Sequence, residues 1–398
     1  MNTSIQTIFD DLRAGKCVII TDDESRENEG DLVLAAQFVT PENINFMMKY
    51  GRGLICVPLS DERITSLGLH AMVNEEGDSM RTAFTVSVDA KKGITTGISA
   101  YDRARTIQVL AHPHSTSIDL VTPGHVFPLR GKKGGVLVRA GHTESSLDLV
   151  RLAGLEEAAV ICEIVNDDGT MARREDLGIF AKLHSLSLAS VQDLIKYRRE
   201  TEILVEFVSE AVIPTETGRW IMKIFRSRID GLEHVVLVKG DISGEPPLIR
   251  AHSECFTSEV FGSRRCDCRE QLALSMERIE QEGRGAILYM RQEGRGIGLA
   301  NKLKAYQLQD QGLDTVEANE RLGFKADLRE YGIGAQILKL LGLSKIRLLT
   351  NNPRKIVGLA GHDLEIVERV RIEIPASPTA RAYLKTKKDK LGHLLQNV

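Results

Sequence analysis

The spacing of apolar residues in the first half of the chain predicts alternating helices and strands. Ile5, Ile8, Phe9 and Leu12 recur at helical intervals, and Gly15 ends the predicted helix. Further helices are predicted over residues 41–50, from about residue 101, and over 186–196. Short apolar runs typical of buried strands occupy residues 17–20, 32–36, 53–57, 83–88, 135–138 and 159–165. We therefore expect an α/β-type domain.

The second half continues the pattern around different polar segments. Strand-like runs extend to Gly240, and an apolar run then leads into a segment rich in cysteine. Elements are predicted at residues 247–251, 269–282 and 286–290, with another helix after 298. A chain of 398 residues is too long for one ordinary core, so two domains are expected. We predict mixed-sheet domains at 1–199 and 200–398, in series, of the α/β (α+β) class.

The overall composition narrows the classes of function. The formal net charge is -3, with 42% hydrophobic and 27% charged residues, which is typical of a soluble globular protein. This charge gives no general attraction to nucleic acid or to anionic membranes, and no apolar run reaches membrane-spanning length. The first residues lack the pattern of a signal peptide, and Cys17, Cys56 and Cys162 lie singly in apolar runs. We expect a cytoplasmic protein that binds neither nucleic acid nor membrane.

The first candidate site is an acidic loop. Six acidic side chains fall within residues 22–31, between two apolar strand-like runs. A loop at a strand end is where α/β active sites collect, and carboxylate oxygens suit Mg2+ or Mn2+. A solvated acidic surface loop is the alternative interpretation.

Histidine, arginine and glutamate in later segments extend this candidate site. The predicted strand at 135–138 delivers Arg139 and His142 to its end, where arginine can bind phosphate and histidine can ligate metal. Glu163 lies inside an apolar run, where a carboxylate is costly unless it is partnered, so it is a candidate base. His125 is a further candidate, although a lone histidine is more often structural. Residues 95–99 can hold a phosphate or simply cap a helix.

These segments resemble 3,4-dihydroxy-2-butanone 4-phosphate synthase, and the resemblance covers residues 1–199. The matching segments are 26–31, 95–99, 125–128, 139–144 and the surroundings of Glu163. The resemblance implies conversion of ribulose 5-phosphate to dihydroxybutanone phosphate and formate, with Mg2+ or Mn2+ bound by Glu27 and His142. It implies catalytic roles for His125 and Glu163. Implied sugar-phosphate contacts are Arg26, Glu27, Asp31, Arg139, Ala140, Gly141, His142, Thr143 and Glu163.

The second candidate site is a cluster of cysteines. Ten residues separate Cys255 from Cys266, and one separates Cys266 from Cys268. Thiolates at this spacing suit zinc, and three protein ligands leave a coordination position open for a water. Incidental buried thiols are the alternative. A disulfide between Cys266 and Cys268 is disfavoured, because one intervening residue makes a strained ring.

Polar segments at strand ends accompany the cysteines. The run 292–298 follows a predicted strand and precedes a helix, so its glycines can let backbone amides and Arg295 approach phosphates. Residues 350–355 are another plausible phosphate contact. If the chain there is extended, Asp327 and Arg329 share a face.

Residues 200–398 resemble GTP cyclohydrolase II, through segments 252–268, 293–298, 314–317, 327–329 and 350–355. The resemblance implies that Cys255, Cys266 and Cys268 bind Zn2+, and that Asp327 accepts a proton. Arg329 matches a residue proposed as nucleophile at the α-phosphate, but a guanidinium stays protonated, so charge stabilisation is an equal alternative. Implied GTP contacts are Arg250, Ala251, His252, Ser253, Glu254, Gln271, Glu293, Gly294, Arg295, Thr315, Thr350 and Lys355.

The combined expectation is a bifunctional enzyme that makes two riboflavin precursors from ribulose 5-phosphate and GTP. Tyr306 is expected to stabilise the attack on GTP, and Mg2+ is expected to accompany the nucleotide. The resemblance suggests a homodimer. One alternative is a chain with a single active half, the other half serving assembly or regulation. A zinc-dependent nucleic-acid-binding protein is the other, and the net charge and three-ligand pattern argue against it.

Overall fold

The computed structural model describes residues 3–24, 26–73, 82–324, 331–360, 364–374, 388–390, 392 and 394. The chain forms two compact units, Met1–Thr201 and Glu202–Val398. Each unit has its own seven-stranded mixed sheet with helices, which confirms the predicted fold class. Among the described residues, no helix has the length and apolar character needed to span a bilayer.

The first unit alternates strands and helices. Its elements are α1 (Ile5–Arg13), β1 (Val18–Thr21), β2 (Gly30–Ala35), α2 (Pro41–Phe46), β3 (Cys56–Leu59), α3 (Asp61–Ser66), β4 (Val88–Ala90), α4 (Ala100–Ala111), β5 (Leu120–Arg130), α5 (His142–Leu152), β6 (Ala159–Glu163), α6 (Arg174–His184), β7 (Leu188–Ser190) and α7 (Val191–Thr201). The strands lie in the order β4-β5-β3-β6-β2-β1-β7.

Both faces of this sheet are buried, which explains why its strands are continuous apolar runs. Ile19 and its cross-strand partner Leu32 pack into one core, whereas Val18 and its partner Val33 pack into the other. Side chains alternate across a strand, so a shift of one residue would exchange the two sets. Each fully buried aliphatic side chain contributes about 1.5–3 kcal/mol, and this fixes the register.

Three predicted elements of the first unit are wrong. The predicted strand at 83–88 has only isolated bridges at Phe84 and Thr85, and β4 begins at Val88. Residues 135–138 do not form a strand, because Gly135–Leu137 is a 3-10 helix. Gly134 and Gly135 both have positive φ, 94° and 61°, so the chain turns where the apolar run suggested extension. The helix expected over 186–196 instead begins at Val191, after the short strand β7.

The second unit begins with a meander and continues with parallel strands. Its elements are β8 (Val205–Thr215), β9 (Gly218–Ser227), β10 (Glu233–Lys239), β11 (Leu248–Ser253), α8 (Phe256–Glu259), α9 (Cys268–Glu282), β12 (Gly285–Met290), α10 (Gly298–Asp310), α11 (Thr315–Arg321), α12 (Gly332–Leu340), β13 (Lys345–Leu349), α13 (Pro353–Ala360) and β14 (Glu365–Val370). The strands lie in the order β14-β13-β11-β12-β10-β9-β8.

The parallel part of the second sheet positions the polar segments. Strand β11 pairs in parallel with β12 on one side and with β13 on the other. Their carboxyl ends therefore meet at one edge, where ligands of open α/β sheets bind. The loops that leave this edge begin near Glu254, Arg291 and Thr350.

Candidate active sites

The acidic loop of the first unit is folded around Asp22. One carboxylate oxygen of Asp22 accepts the backbone amide of Glu27 at 2.9 Å and the Arg26 guanidinium at 3.0 Å. Its other oxygen accepts the backbone amide of Glu29 at 2.9 Å. The loop is therefore a built structure rather than a solvated acidic run.

The predicted metal ligands Glu27 and His142 come together at this loop. His142, the first residue of α5, places its Nδ1 3.2 Å from Oε2 of Glu27 and 3.8 Å from Oδ1 of Asp31. Adjacent ligands of an octahedral Mg2+ lie about 3 Å apart at metal–ligand distances of about 2.1 Å. Among the described residues, Nε2 of His142 and Oδ1 of Asp31 are buried without a hydrogen-bond partner. The donor set fits a hard divalent cation.

Burial and charge shift the pKa values of this cluster in opposite senses. Burial lowers the pKa of His142, but the carboxylates of Asp31 and Glu27 outweigh it and raise the pKa to about 9. Burial raises the pKa of Asp31 to about 7, although His142 opposes the shift. The imidazole of His142 and the carboxylate of Asp31 therefore interact electrostatically within this site.

Glu163 lies beside the acidic loop because of strand pairing. It is the cross-strand partner of Asp31 in the β2–β6 ladder. Its Oε2 accepts the backbone amide of Leu54 at 2.8 Å. A Cβ at Gly53 would lie 2.5 Å from both the backbone oxygen and Oε2 of Glu163, so only glycine fits there. The lack of a side chain at Gly53 leaves room for the Glu163 carboxylate, a requirement that the local sequence does not reveal.

Two arginines converge over the start of α5. A Cβ at Gly141 would lie 2.5 Å from Nη1 of Arg139 and 3.1 Å from Nη2 of Arg26. Arg139 also donates to Glu144 at 2.6 Å and to Thr82 at 3.0 Å. Two guanidinium groups at a helix start form a suitable environment for a phosphate.

His125 belongs to a different group of contacts. Its Nδ1 lies 2.7 Å from Oδ2 of Asp89, and its backbone amide donates to Oδ1 of Asp89 at 3.0 Å. A Cβ at Gly97, whose φ is +99°, would lie within 2.4 Å of both side chains. Among the contacts of the described residues, none joins His125 to Glu27 or His142. The sequence analysis missed Asp89, which lies 36 residues away.

The 95–99 segment is a helix cap. Ser99 is the N-cap of α4, and Asp102 accepts hydrogen bonds from the Thr95 hydroxyl at 2.7 Å and from the Thr95 and Gly97 amides. These bonds, the Thr95 hydroxyl first, lower the pKa of Asp102 to about 2. Of the two interpretations of this segment, the structure supports capping.

In the second unit, the three cysteines form one cluster. Cys255 follows β11 and Cys268 begins α9. Sγ of Cys255 lies 3.6 Å from Sγ of Cys266, and the three sulfurs lie within 4.8 Å of one another. Thiolates on a tetrahedral zinc with bonds of about 2.3 Å lie about 3.8 Å apart, so the arrangement fits zinc.

The thiols of the two units differ in character. All six cysteines are free. Burial raises the pKa of Cys17 and of Cys162 to about 12, as expected for inert core thiols. Hydrogen bonds from Cys266 and Cys268 lower the pKa of Cys255, and Lys302 adds to the effect. Among these thiols, Cys255 is the one whose surroundings favour the thiolate, because they lower its pKa.

A buried lysine that the sequence analysis missed contacts the cluster. Nζ of Lys302, on α10, lies 3.2 Å from Sγ of Cys255 and 2.7 Å from Oε1 of Glu293. Cys255 and Glu293 together outweigh burial and raise the pKa of Lys302. Lys302 lies four residues before Tyr306, a helical spacing that could have indicated their proximity.

One pocket at the carboxyl edge of the parallel strands contains most of the predicted GTP contacts. The Tyr306 hydroxyl, 3.4 Å from Oγ1 of Thr257, also faces this region. Predicted residues that line the pocket are Arg250, His252, Ser253, Glu254, Cys255, Cys266, Cys268, Gln271, Glu293, Gly294, Tyr306, Thr315, Thr350 and Lys355. Further lining residues, which were not predicted individually, are Arg265, Gln292, Ile297, Lys302, Ala305, Gln309, Asn319, Asn351, Asn352 and Ile372.

Four other predicted residues of the second unit are not among the described residues that line this pocket. Ala251 does not line the pocket; its carbonyl accepts a hydrogen bond from Nζ of Lys355 at 2.6 Å. Asp327 and Arg329 lie outside the described residues. The backbone of Arg295 lies in a 3-10 helix (Glu293–Gly296), and its side chain lies outside the described part.

The floor of the pocket is cationic. Arg250 donates to the carbonyl of Leu349 at 2.9 Å and to Oε1 of Gln271 at 2.5 Å. Arg250, on strand β11, and Lys355, on helix α13, are both buried. Buried cations fixed in this way suit an anionic, phosphate-bearing ligand.

His252 is buried at the pocket wall beside Glu259. Its Nε2 lies 2.7 Å from Oε1 of Glu259, and the Tyr289 hydroxyl donates to Oε2 of Glu259 at 2.5 Å. Burial lowers the pKa of His252 to about 4. Among the described residues, its Nδ1 is buried without a partner, so this nitrogen remains for a ligand.

Comparison with known proteins identifies a different family in each half of the chain. The family model of 3,4-dihydroxy-2-butanone 4-phosphate synthase matches residues 6–197, and that of GTP cyclohydrolase II matches residues 206–371. The riboflavin biosynthesis protein RibBA of Bacillus cereus is 57% identical over 392 residues, 98% of both chains. The protein of the same name from Bacillus cytotoxicus is 56% identical over the same shares.

A solved structure has the same two-part organisation. RibBX, described as a two-domain 3,4-dihydroxy-2-butanone 4-phosphate synthase from A. baumannii, is 39% identical with a TM-score of 0.70. The similarity covers 93% of this chain and 100% of that chain. The chain therefore belongs to the bifunctional riboflavin biosynthesis family, in which a 3,4-dihydroxy-2-butanone 4-phosphate synthase precedes a GTP cyclohydrolase II, and it has both activities.

Proposed function

We propose that residues 1–199 convert ribulose 5-phosphate to dihydroxybutanone phosphate and formate at the acidic loop, with Mg2+ or Mn2+ held by Glu27 and His142. The observation behind this assignment is the 3.2 Å approach of His142 Nδ1 to Glu27 Oε2 across 115 residues of sequence. A bound divalent ion supplies charge stabilisation for enolisation of the ketose. Residues around it position the sugar and move its protons.

The sugar phosphate is bound by the arginines over α5. Arg26 and Arg139 form the anion-binding face, and Ala140, Gly141 and Thr143 place the helix start beneath it. Asp31 and Glu163, paired across β2 and β6, are the candidate proton acceptors beside the metal ligands. This arrangement separates the phosphate end of the substrate from the end at which protons are removed.

Residues 200–398 open the guanine ring of GTP with Zn2+ held by Cys255, Cys266 and Cys268. Zinc with three protein ligands supplies Lewis acidity at an open position, which suits activation of a water. Proposed nucleotide contacts along the pocket are Arg250, His252, Ser253, Glu254, Gln271, Glu293, Gly294, Thr315, Thr350 and Lys355. Ala251 acts through its carbonyl, which fixes Lys355.

Three residues complete the proposed reaction at the GTP site. Asp327 accepts a proton and Arg329 stabilises phosphate charge, both on the basis of the family motif alone. Tyr306 stabilises the attack on guanine from the wall of the pocket. Arg295 is proposed to approach the phosphates, accompanied by Mg2+.

A homodimer is proposed to complete the first site. His125, which the family motif makes essential, contacts Asp89 rather than the Glu27–His142 pair, so a second copy of the chain can supply it. Light scattering of the purified protein tests this: twice the chain mass supports a dimer, and a single chain mass contradicts it. The free thiols of the chain support work in a reducing cytoplasm.

Formate release tests both proposed sites. The purified protein is offered GTP alone and, separately, ribulose 5-phosphate with Mg2+. We expect formate from each substrate, with zinc needed only for GTP. Formate from ribulose 5-phosphate that survives removal of every divalent ion contradicts the first site, and GTP turnover by zinc-free protein contradicts the second.

A further inference from the structure

Lys302 is placed as a partner of the cysteine cluster rather than as a surface cation. Its side chain is buried, with 8% of the residue exposed. Nζ donates to Sγ of Cys255 at 3.2 Å and to Oε1 of Glu293 at 2.7 Å, and lies 5.8 Å from the centroid of the Tyr306 ring. A lysine is rarely this buried unless its charge is paired.

Glu293 fixes the lysine and the cysteine segment together. Its Oε1 also accepts the backbone amide of Gly294 at 2.7 Å, and its Oε2 accepts the amide of Phe256 at 2.6 Å. Phe256 directly follows Cys255, so one carboxylate holds both the ammonium and the backbone next to the thiol. The hydrogen bonds from the two amides offset part of the Glu293 charge and leave the ammonium directed at sulfur.

The charge of the cluster explains why a cation belongs there. Three thiolates and one Zn2+ carry a net charge of -1, and electron-rich thiolates weaken the metal as a Lewis acid. An N–H···S bond from an ammonium draws electron density from sulfur and restores that acidity. Partners beyond the ligands commonly tune metal sites in this way.

We propose that Lys302, anchored by Glu293, is a positioning residue of the GTP site that donates to the Cys255 thiolate and raises the Lewis acidity of the zinc. This inference rests on the proposed zinc site at Cys255, Cys266 and Cys268. It makes Glu293 a support of the metal centre as well as a wall of the nucleotide pocket.

The test compares Lys302→Met with Lys302→Arg and with the control Lys304→Met. Lys304 lies on the same helix and is exposed. Zinc content, turnover of GTP and the spectrum of the Co2+-substituted protein are measured for each. We expect one metal per chain throughout, and a fall in kcat of about 10- to 100-fold for Lys302→Met with KM little changed, since one charge-assisted hydrogen bond is lost.

The spectrum separates tuning of the metal from a structural role. Without its donor, the Cys255 thiolate becomes more electron-rich, so the sulfur-to-cobalt charge-transfer band should move to longer wavelength in Lys302→Met. Lys302→Arg should recover most of kcat and the original band, and Lys304→Met should match the unaltered protein. Glu293→Gln, which removes the anchoring charge, should shift the band in the same direction by less.

Failure of the proposed role of Lys302 can be distinguished from failure of the proposed zinc site. An unaltered band and kcat in Lys302→Met that retains its metal overturn the role of Lys302. Loss of the metal from Lys302→Met also overturns it, because the lysine would then build the site rather than tune it. Unaltered protein that binds no zinc while turning over GTP overturns the proposed zinc site itself.

Discussion

The N-terminal candidate metal site joins Glu27 and His142 across 115 residues, whereas the three cysteines of the C-terminal site lie in one short segment. The first site uses oxygen and imidazole donors at the end of a strand ladder. The second uses thiols backed by a buried ammonium. In this chain, the oxygen–imidazole cluster depends on a contact between distant segments, while the thiol cluster depends on one local segment and a buried lysine.

The substitution with the largest expected effect should remove one activity and leave the other intact. Cys266→Ser removes one of three thiolates, so the protein should lose zinc, and its turnover of GTP should fall by at least about 10³-fold. Activity on ribulose 5-phosphate should stay within twofold. Metal analysis and formate assays on one preparation measure both. Parallel loss of the two activities would show that the sites are coupled.

A substitution in the first site should reduce the other activity, and the loss should be smaller. His142→Ala removes one of the two proposed ligands and leaves Glu27, so activity on ribulose 5-phosphate should fall by about 10²- to 10³-fold. The Mg2+ concentration that gives half-maximal activity should rise. GTP turnover is the internal control. An unchanged Mg2+ dependence would remove His142 from the metal site.

A smaller effect is expected from a substitution at Asp89, which contacts the candidate catalytic residue His125. Asp89→Asn keeps the size of the side chain but removes the charge that faces Nδ1 of His125. If His125 takes part in proton transfer, kcat on ribulose 5-phosphate should fall by about 10-fold, with KM for substrate and Mg2+ little changed. A change in the Mg2+ dependence instead would place Asp89 at the metal.

The smallest effect concerns the tyrosine of the GTP pocket. Tyr306→Phe removes a single hydroxyl, so kcat on GTP should fall by less than about 10-fold, with zinc content unchanged. A steady-state assay on zinc-replete protein measures this. Full turnover by Tyr306→Phe would contradict its role in stabilising the attack.

Site residues that are neighbours in the chain could be predicted from the sequence. Residues that contact them from distant positions could not. The cysteine spacing and the acidic run mark their sites because the residues are neighbours in the chain. Lys302, Asp89 and Gly53 are absent from the predicted sites because they contact site residues that lie 47, 36 and 110 positions away. No periodic pattern encodes such a contact.

The prediction of strands and helices also succeeded or failed according to whether local sequence determines the backbone. Strands β1 and β2 were predictable because both faces of the sheet are buried, which makes each strand a continuous apolar run. The run at 135–138 has the same composition, but the positive φ angles of Gly134 and Gly135 make it a 3-10 helix. The apolar composition of this run correctly predicted that Val136 is buried, but it predicted the wrong backbone conformation.

The contact between Cys255 and Lys302 has a consequence for the order in which the chain is made. The lysine is added 47 residues after the cysteine, and Cys266 and Cys268 also precede it. On the ribosome, all three thiols therefore exist before their compensating cation does. Any metal captured by the nascent segment would therefore lack its ammonium partner until helix α10 emerges and docks.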